Sequence, residues 1–360
     1  MNQKKYFVVE ESQSDAGEFL SRYSKDILAL WDKNLSQNFE GRYTWLYKEN
    51  PSGSAKTYLA LDEQNNVVGC ASVYPRQVSV KGRDLIMGVA ADFAVNKEHR
   101  VFGPALRMQQ TILSSYGKKG IDFLFAFPNK SSAGIFKRIG FVKLGNECNL
   151  IRILNSGNKV RAFIKNRVLA YIVTVYINGV LRLADFVRYI FTRHDSEFMV
   201  LDAIDKRFNE LWKNAEKNDC ILGVQSYEYL SWRYSGCKAF DSRYFCMFDR
   251  KTGSLEGFIV FTLKDNIAVI WDMLAKNRIS ALKALIANFV KLMNRQKAEK
   301  ITTSILDSRE CKALFKHAGF IERCSDRMAM VFISPESGIT NKNELLQKDN
   351  WFIFEGEMDI

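Results

Sequence analysis

The chain has 360 residues, 47% hydrophobic and 26% charged, with a formal net charge of +12. That length implies two or three domains, and the composition excludes a disordered or low-complexity protein. Seven cysteines, odd in number, scattered and without a CxxC pair, exclude a disulfide scaffold or a zinc site and point to free thiols in a reducing compartment.

Elements follow in chain order. Met1-Asn2-Gln3-Lys4-Lys5 runs straight into an apolar strand from Tyr6, so no secretory leader is expected and the chain is placed in the cytoplasm. Phe19, Tyr23, Ile27, Leu30 and Trp31 recur three or four apart and predict a helix over 15–35. Strands are expected at 57–61, 67–74, 77–80 and 85–95. A helix over 104–116, a strand over 121–127 and a short helix over 132–139 follow, the last closed by Gly140. The second half repeats this order, with a helix over 203–216, strands at 243–249, 255–264 and 267–274, a helix over 279–294, a strand over 300–305 and a helix over 309–318.

The repetition extends to single residues. Leu30-Trp31, Thr44-Trp45-Leu46-Tyr47, Asp92 and Phe136-Lys137-Arg138-Ile139-Gly140-Phe141 return as Leu211-Trp212, Ser231-Trp232-Arg233-Tyr234, Asp272 and Phe315-Lys316-His317-Ala318-Gly319-Phe320. Near-equal spacing through four matches in one order is what duplication of a folded unit leaves behind. Between the copies, 151–195 carries eight basic residues against Asp185 and Asp195, around the apolar run 168–177. That run reads as too short, and too soon interrupted at Asn178-Gly179 and Arg182, to span a bilayer. It is expected to be a packed linker helix or a basic helix lying on an anionic membrane surface.

The segment from Asp92 through His99, Arg100 and Gly103 to Ala105 is a strand, a tight loop and a helix start. Backbone N–H groups of such a loop, with the positive end of the helix, suit a pyrophosphate. Arg100-Val101-Phe102-Gly103-Pro104-Ala105 resembles the [QR]-x-x-G-x-[GA] signature of the GNAT-family acyltransferases, and Phe127-Pro128-Asn129 with Phe136 and Gly140-Phe141 is similar to that family's downstream strand, Asn and aromatic-x-x-x-G-F ending. The resemblance covers 31–145 well and 212–324 as a degenerate copy, and extends to tandem members from bacterial surface-glycan gene clusters. It implies an α/β fold of two GNAT-like units in tandem, with mixed, mostly antiparallel sheets flanked by helices. The expected organisation is an acyl-CoA-binding domain at 1–150, a basic, partly apolar helical linker at 151–200, a degenerate second domain at 201–332 and a tail at 333–360.

What the resemblance implies for the site is acyl-CoA, with acetyl-CoA foremost, held by Phe93, Val95, Arg100, Val101, Phe102, Gly103, Ala105, Asn129 and Phe136. Asp92 is a candidate general base, or else a hydrogen-bonded structural carboxylate. Asn129 is a candidate for bonding the pantetheine arm or a water, or else a helix cap. Pro104 removes one N–H from the loop, and Phe136 stands where many members have a Tyr that protonates the departing thiolate. In the second copy Ser280, Lys283 and Ser308 fall where Arg100, Gly103 and Asn129 stand, so one cofactor per chain is expected. The implied reaction is transfer of an acyl group to a small-molecule or sugar amine, with no metal and no nucleic acid. An aminoacyl-tRNA-dependent peptidyl transferase-like enzyme and a non-catalytic scaffold are the alternatives.

Overall fold

The computed structural model describes residues 5–11, 16–34, 41–100, 103–192, 195–236 and 241–358. Its chain forms two compact units. The first joins Met1–Asn146 to Asp326–Gln347 and Asp359–Ile360, and the second joins Glu147–Ser325 to Lys348–Met358.

In the first unit the chain runs through β1 (Phe7–Glu10), α1 (Ala16–Asn34), β2 (Lys56–Leu61), β3 (Val67–Val80), β4 (Arg83–Val95), α2 (Gly103–Ser115), β5 (Phe123–Ala126) and α3 (Ala133–Arg138). Strands β1 to β4 pair antiparallel in sequence order. The tight β3–β4 hairpin is set by Lys81 and Gly82, whose φ of 50° and 81° match the twist a two-residue turn needs. β4 and β5 then run parallel, from Met87 opposite Phe123 to Ala90 opposite Ala126. On α1 the buried side chains are the apolar stripe of the sequence, Phe19, Tyr23, Ile27, Leu30 and Trp31. α2 buries Ala105, Met108 and Ile112 in a core shared with Tyr58, Val68, Val73 and Phe136.

The second unit contains most of β6 (Val142–Ile153), then α4 (Gly157–Phe163), α5 (Arg167–Phe191), β7 (Ser196–Leu201), α6 (Arg207–Asn214), β8 (Ile221–Gly223), α7 (Tyr227–Leu230), β9 (Arg243–Asp249), β10 (Leu255–Lys264), β11 (Ile267–Ala275), α8 (Arg278–Arg295), β12 (Lys300–Leu306), α9 (Arg309–His317) and the start of β13 (Ile321–Phe332). Strands β7, β9, β10 and β11 pair antiparallel in that order, and β11 runs parallel to β12 from Ile267 opposite Lys300 to Val269 opposite Thr302. Each unit is thus a largely antiparallel sheet with one parallel pair, flanked by helices.

The units differ from the expected domains. In the first, β5 pairs with the end of β13, Phe332 opposite Leu124 and Met330 opposite Ala126. In the second, β12 pairs with 147–153 of β6, from Leu306 opposite Glu147 to Lys300 opposite Ile153. Each unit is therefore closed by a strand from the other half of the chain, so 326–347 belongs to the first unit and not to a tail. The stretch 151–200 is no separate linker but part of the second unit. The expected break at Asn178-Gly179 does not occur either, since α5 runs unbroken through both and through Arg182 to Phe191. The Asn166 side chain caps its start by accepting from the N–H of Val168 and Leu169. Asn178 is held by the Ser156 N–H and hydroxyl, each 2.9 Å away, which offsets the cost of about 1 kcal/mol of a mid-helix glycine.

The two units share local features. Thr44–Lys48 and Ser231–Ser235 are both π-helical turns. The Phe136 and Phe141 rings sit edge to face at 5.0 Å, as do Phe315 and Phe320. Gly140 and Gly319, at φ 98° and 79°, end the helices that carry them.

Candidate functional site

Parallel pairing of β4 with β5 ends at Ala90 and Ala126. From Ala91 to Val95 β4 pairs, among the described residues, with β3. An extra residue is accommodated there, because Cys70 faces Ala94 while Ser72 faces Ala91. Asp92 takes the strain with φ 49°, a conformation that Asp tolerates better than most residues. The bulge interrupts the regular pairing of β4 with β3 between Ala91 and Ala94. It also sends Asp92 and Phe93 to opposite faces. The Phe93 ring meets Phe136 edge to face at 6.0 Å.

Asp92 points instead toward α1 and the Thr44–Lys48 turn. Its carboxylate accepts from the Arg42 guanidinium at 2.8 Å and from the Tyr47 hydroxyl through a short bond, and Arg42 and Asp92 are only 2% and 3% exposed. The Trp31 indole N–H donates to Cys70 Sγ at 3.2 Å, and the Cys70 thiol donates to the Asp92 carbonyl at 3.3 Å. Burial, and then the nearby Asp92 charge, hold the Tyr47 hydroxyl well above its usual range, so it stays a donor. Burial pushes the Cys70 thiol up to about 12, which leaves it unreactive. Asp92 thus has the geometry of a structural carboxylate, not of a base open to an acceptor. The second unit repeats half of this: Asp272 accepts from Tyr234 at 3.2 Å and from Gln225 through a short bond. Arg42 is the residue that sequence reasoning missed, since nothing in a separation of 50 residues marks it as the partner of Asp92.

Of the loop residues, Val101 and Phe102 lie outside the described residues. Val95 is buried in the core of the unit, and Arg100 folds back so that its Nε donates to the Val95 carbonyl at 3.0 Å and its guanidinium reaches Asn34 Oδ1 at 2.8 Å. Gly103 opens α2, where a Cβ would come within 2.9 Å of the Tyr6 ring. The Tyr6 hydroxyl lies 3.1 Å from His99 Nδ1, and its carbonyl accepts from Arg107 at 2.6 Å. Ala105 is buried two residues on, and no acid lies in the first turn of α2. Asn129 closes the turn that leads into α3, its Oδ1 accepting from the N–H of Ser131 and Ser132 at 3.0 Å each, while the N-cap of α3 is Ser132, which makes no side-chain cap bond. Phe136 is buried against Phe93 and Phe141.

The second unit lacks this loop. α8 begins at Arg278, three residues after β11 ends at Ala275. Ser280 and Lys283 therefore lie inside the helix rather than at loop positions, a correction to the sequence alignment of the two copies. Glu216 accepts from the Arg278 N–H at 3.3 Å, and the Arg278 guanidinium is held by Asp219 and Glu310 at 2.8 and 2.7 Å. The chain's own carboxylate stands where an anion would dock.

Residues 21–143 match the family model described as the acetyltransferase (GNAT) domain. That segment is a GNAT acetyltransferase domain. Solved structures share the GNAT fold over nearly the whole chain. A probable N-acyltransferase from Enterococcus faecalis V583 is 11% identical with a TM-score of 0.64, covering 91% of this chain and 73% of its own. A GCN5-related N-acetyltransferase from Anabaena variabilis is 14% identical with a TM-score of 0.61 and the same coverage. A glucosamine N-acetyltransferase region of a fungal multi-domain β-N-acetylglucosaminidase is 11% identical with a TM-score of 0.56, covering 92% of this chain and 38% of that one. No curated protein matches the sequence. Among the described residues no group of three or more His, Cys, Asp or Glu is placed to hold a metal ion.

Proposed function

We propose that the first unit transfers an acyl group, acetyl foremost, from acyl-CoA to a primary amine. The observation that carries this reading is the contrast between two helix starts. The N-terminus of α2 opens on Gly103 with no acid in its first turn, whereas that of α8 is taken by Glu216. The residues present fit a pyrophosphate, with the positive end of α2 and the His99-Arg100 rim beside it. The thioester arm would lie along β4 from Ala91 to Val95, where backbone N–H groups are available to polarise its carbonyl.

Within that frame Asp92 is a positioning residue. By tying the bulge to Arg42 and Tyr47 it fixes the course of the β4 backbone, and rate would come from placement and carbonyl polarisation. Phe136 brings no hydroxyl for the leaving thiolate and Asp92 is tied to Arg42 and Tyr47, so the acceptor amine would have to attack in its neutral form, with the proton it sheds passing to the departing thiolate. For the acceptor, the glucosamine N-acetyltransferase neighbour favours an amino sugar. Incubation with acetyl-CoA and glucosamine should release free CoA thiol and yield the N-acetyl sugar. Release of thiol only as slow hydrolysis, with every amine tried, would reject the transferase reading.

A further inference from the structure

α5 is built inside out. Its polar side chains face its own unit: Asn178 bonds Ser156, and Asp185 pairs with Arg152 and, at 3.3 Å, with Arg188. Lys291 sits 4.1 Å above the Tyr189 ring. The opposite face carries Val168, Ile172, Val175, Leu183 and Phe186, all exposed, together with Tyr171 at 71% and Phe191 at 82%. Phe163, just before the helix, is 87% exposed. The helix is long and apolar enough to cross a membrane, yet only 6% of its most apolar window is buried. At 25 residues it offers an apolar strip about 37 Å long. Monomeric soluble proteins rarely leave such a continuous face uncovered.

Charge identifies the occupant. Lys159, Arg161, Lys165 and Arg167 are exposed around the start of the helix, and Arg182 interrupts its apolar face. Among the described residues none of the five is in an ion pair, and no acid lies on the exposed face. Basic side chains reach from the interface toward headgroups, and Tyr rings favour the same depth. A second copy of the chain would bring the same positive charges together, which disfavours a dimer through this face. The ties of Asn178 and Asp185 to the second unit hold α5 along that unit, which fits a helix lying in the membrane plane and not one spanning it. We infer that α5 docks the chain on an anionic lipid surface, with its apolar face in the headgroup–acyl boundary and Arg161, Lys165, Arg167 and Arg182 on the lipid charge.

The test is flotation of the intact chain with vesicles of phosphatidylcholine, with and without phosphatidylglycerol, beside its oligomeric state in solution. The chain should float with the anionic vesicles at low salt and be released at high salt. The combined variant Arg161→Gln, Lys165→Gln, Arg167→Gln, Arg182→Gln should lower partitioning roughly a hundred-fold or more. Ile172→Glu with Leu183→Glu should abolish it with the thermal midpoint unchanged, because both side chains are already in solvent. A parent that stays unbound, or a double Glu variant that floats equally well, would overturn the inference. So would a dimer in vesicle-free solution that the double Glu variant dissociates, since the face would then belong to a second copy.

Discussion

Asp92→Ala is expected to cost about 3–5 kcal/mol of folding stability, because it takes the Asp92 carboxylate away from the buried Arg42 guanidinium. The Tyr47 hydroxyl loses its acceptor at the same time, adding to the penalty. Replacing both charges, as in Arg42→Met with Asp92→Leu, should recover much of the loss, since a buried pair is often worth little more than well-packed apolar groups. Urea unfolding of the parent, the single and the double variant measures this directly. If Asp92→Ala unfolds within about 1 kcal/mol of the parent while losing acyl transfer, the carboxylate is catalytic and the positioning role is wrong. Should it unfold early and the double variant regain both stability and transfer, the structural account holds.

Gly103→Glu should abolish binding of CoA, lowering affinity a thousand-fold or more. A carboxylate at the start of α2 would stand against the pyrophosphate, and like charges so close cost several kcal/mol, where about 1.4 kcal/mol is a factor of ten. The substitution also pushes on the Tyr6 ring, 2.9 Å from where the Cβ would be. Gly103→Gln is the control, since it presses on Tyr6 with the same bulk but no charge. Gln should retain measurably more affinity than Glu, and the difference should shrink as salt rises. Equal binding by both, near the parent's level, would show that the phosphates lie elsewhere.

Much of the fold was legible because its signals are local. Apolar residues three or four apart marked α1, and alternation with turn residues marked β2 to β4. The paired placement of Tyr47 and Tyr234, or of Gly140 and Gly319, matches turns and helix ends that both units share. Pairing at the ends of the copies was not legible. β6 and β13 follow the same Gly-Phe ending, and nothing in either strand's own residues says which sheet edge it will join. The start of α8 was legible to within one residue, but Ser280 and Lys283 were matched to loop positions that they do not occupy, because the connection from β11 to α8 is shorter than that from β4 to α2 and residue counting across it shifts the match. Asp92 was singled out, but its partner Arg42 lies far off in sequence on a segment with no periodic signal. The length of α5 was underestimated because Asn178-Gly179 reads as a break, and only the contact with Ser156 shows why the helix passes through it.

The central claim is that one working acyl-CoA site exists and lies in the first unit. Calorimetric titration of the intact chain with CoA tests it most directly. The account predicts a single class of sites with a stoichiometry near one, lost in Gly103→Glu and unaffected by Glu216→Gln at the second helix start. A stoichiometry near two, or binding that survives Gly103→Glu and responds to Glu216→Gln, would contradict it.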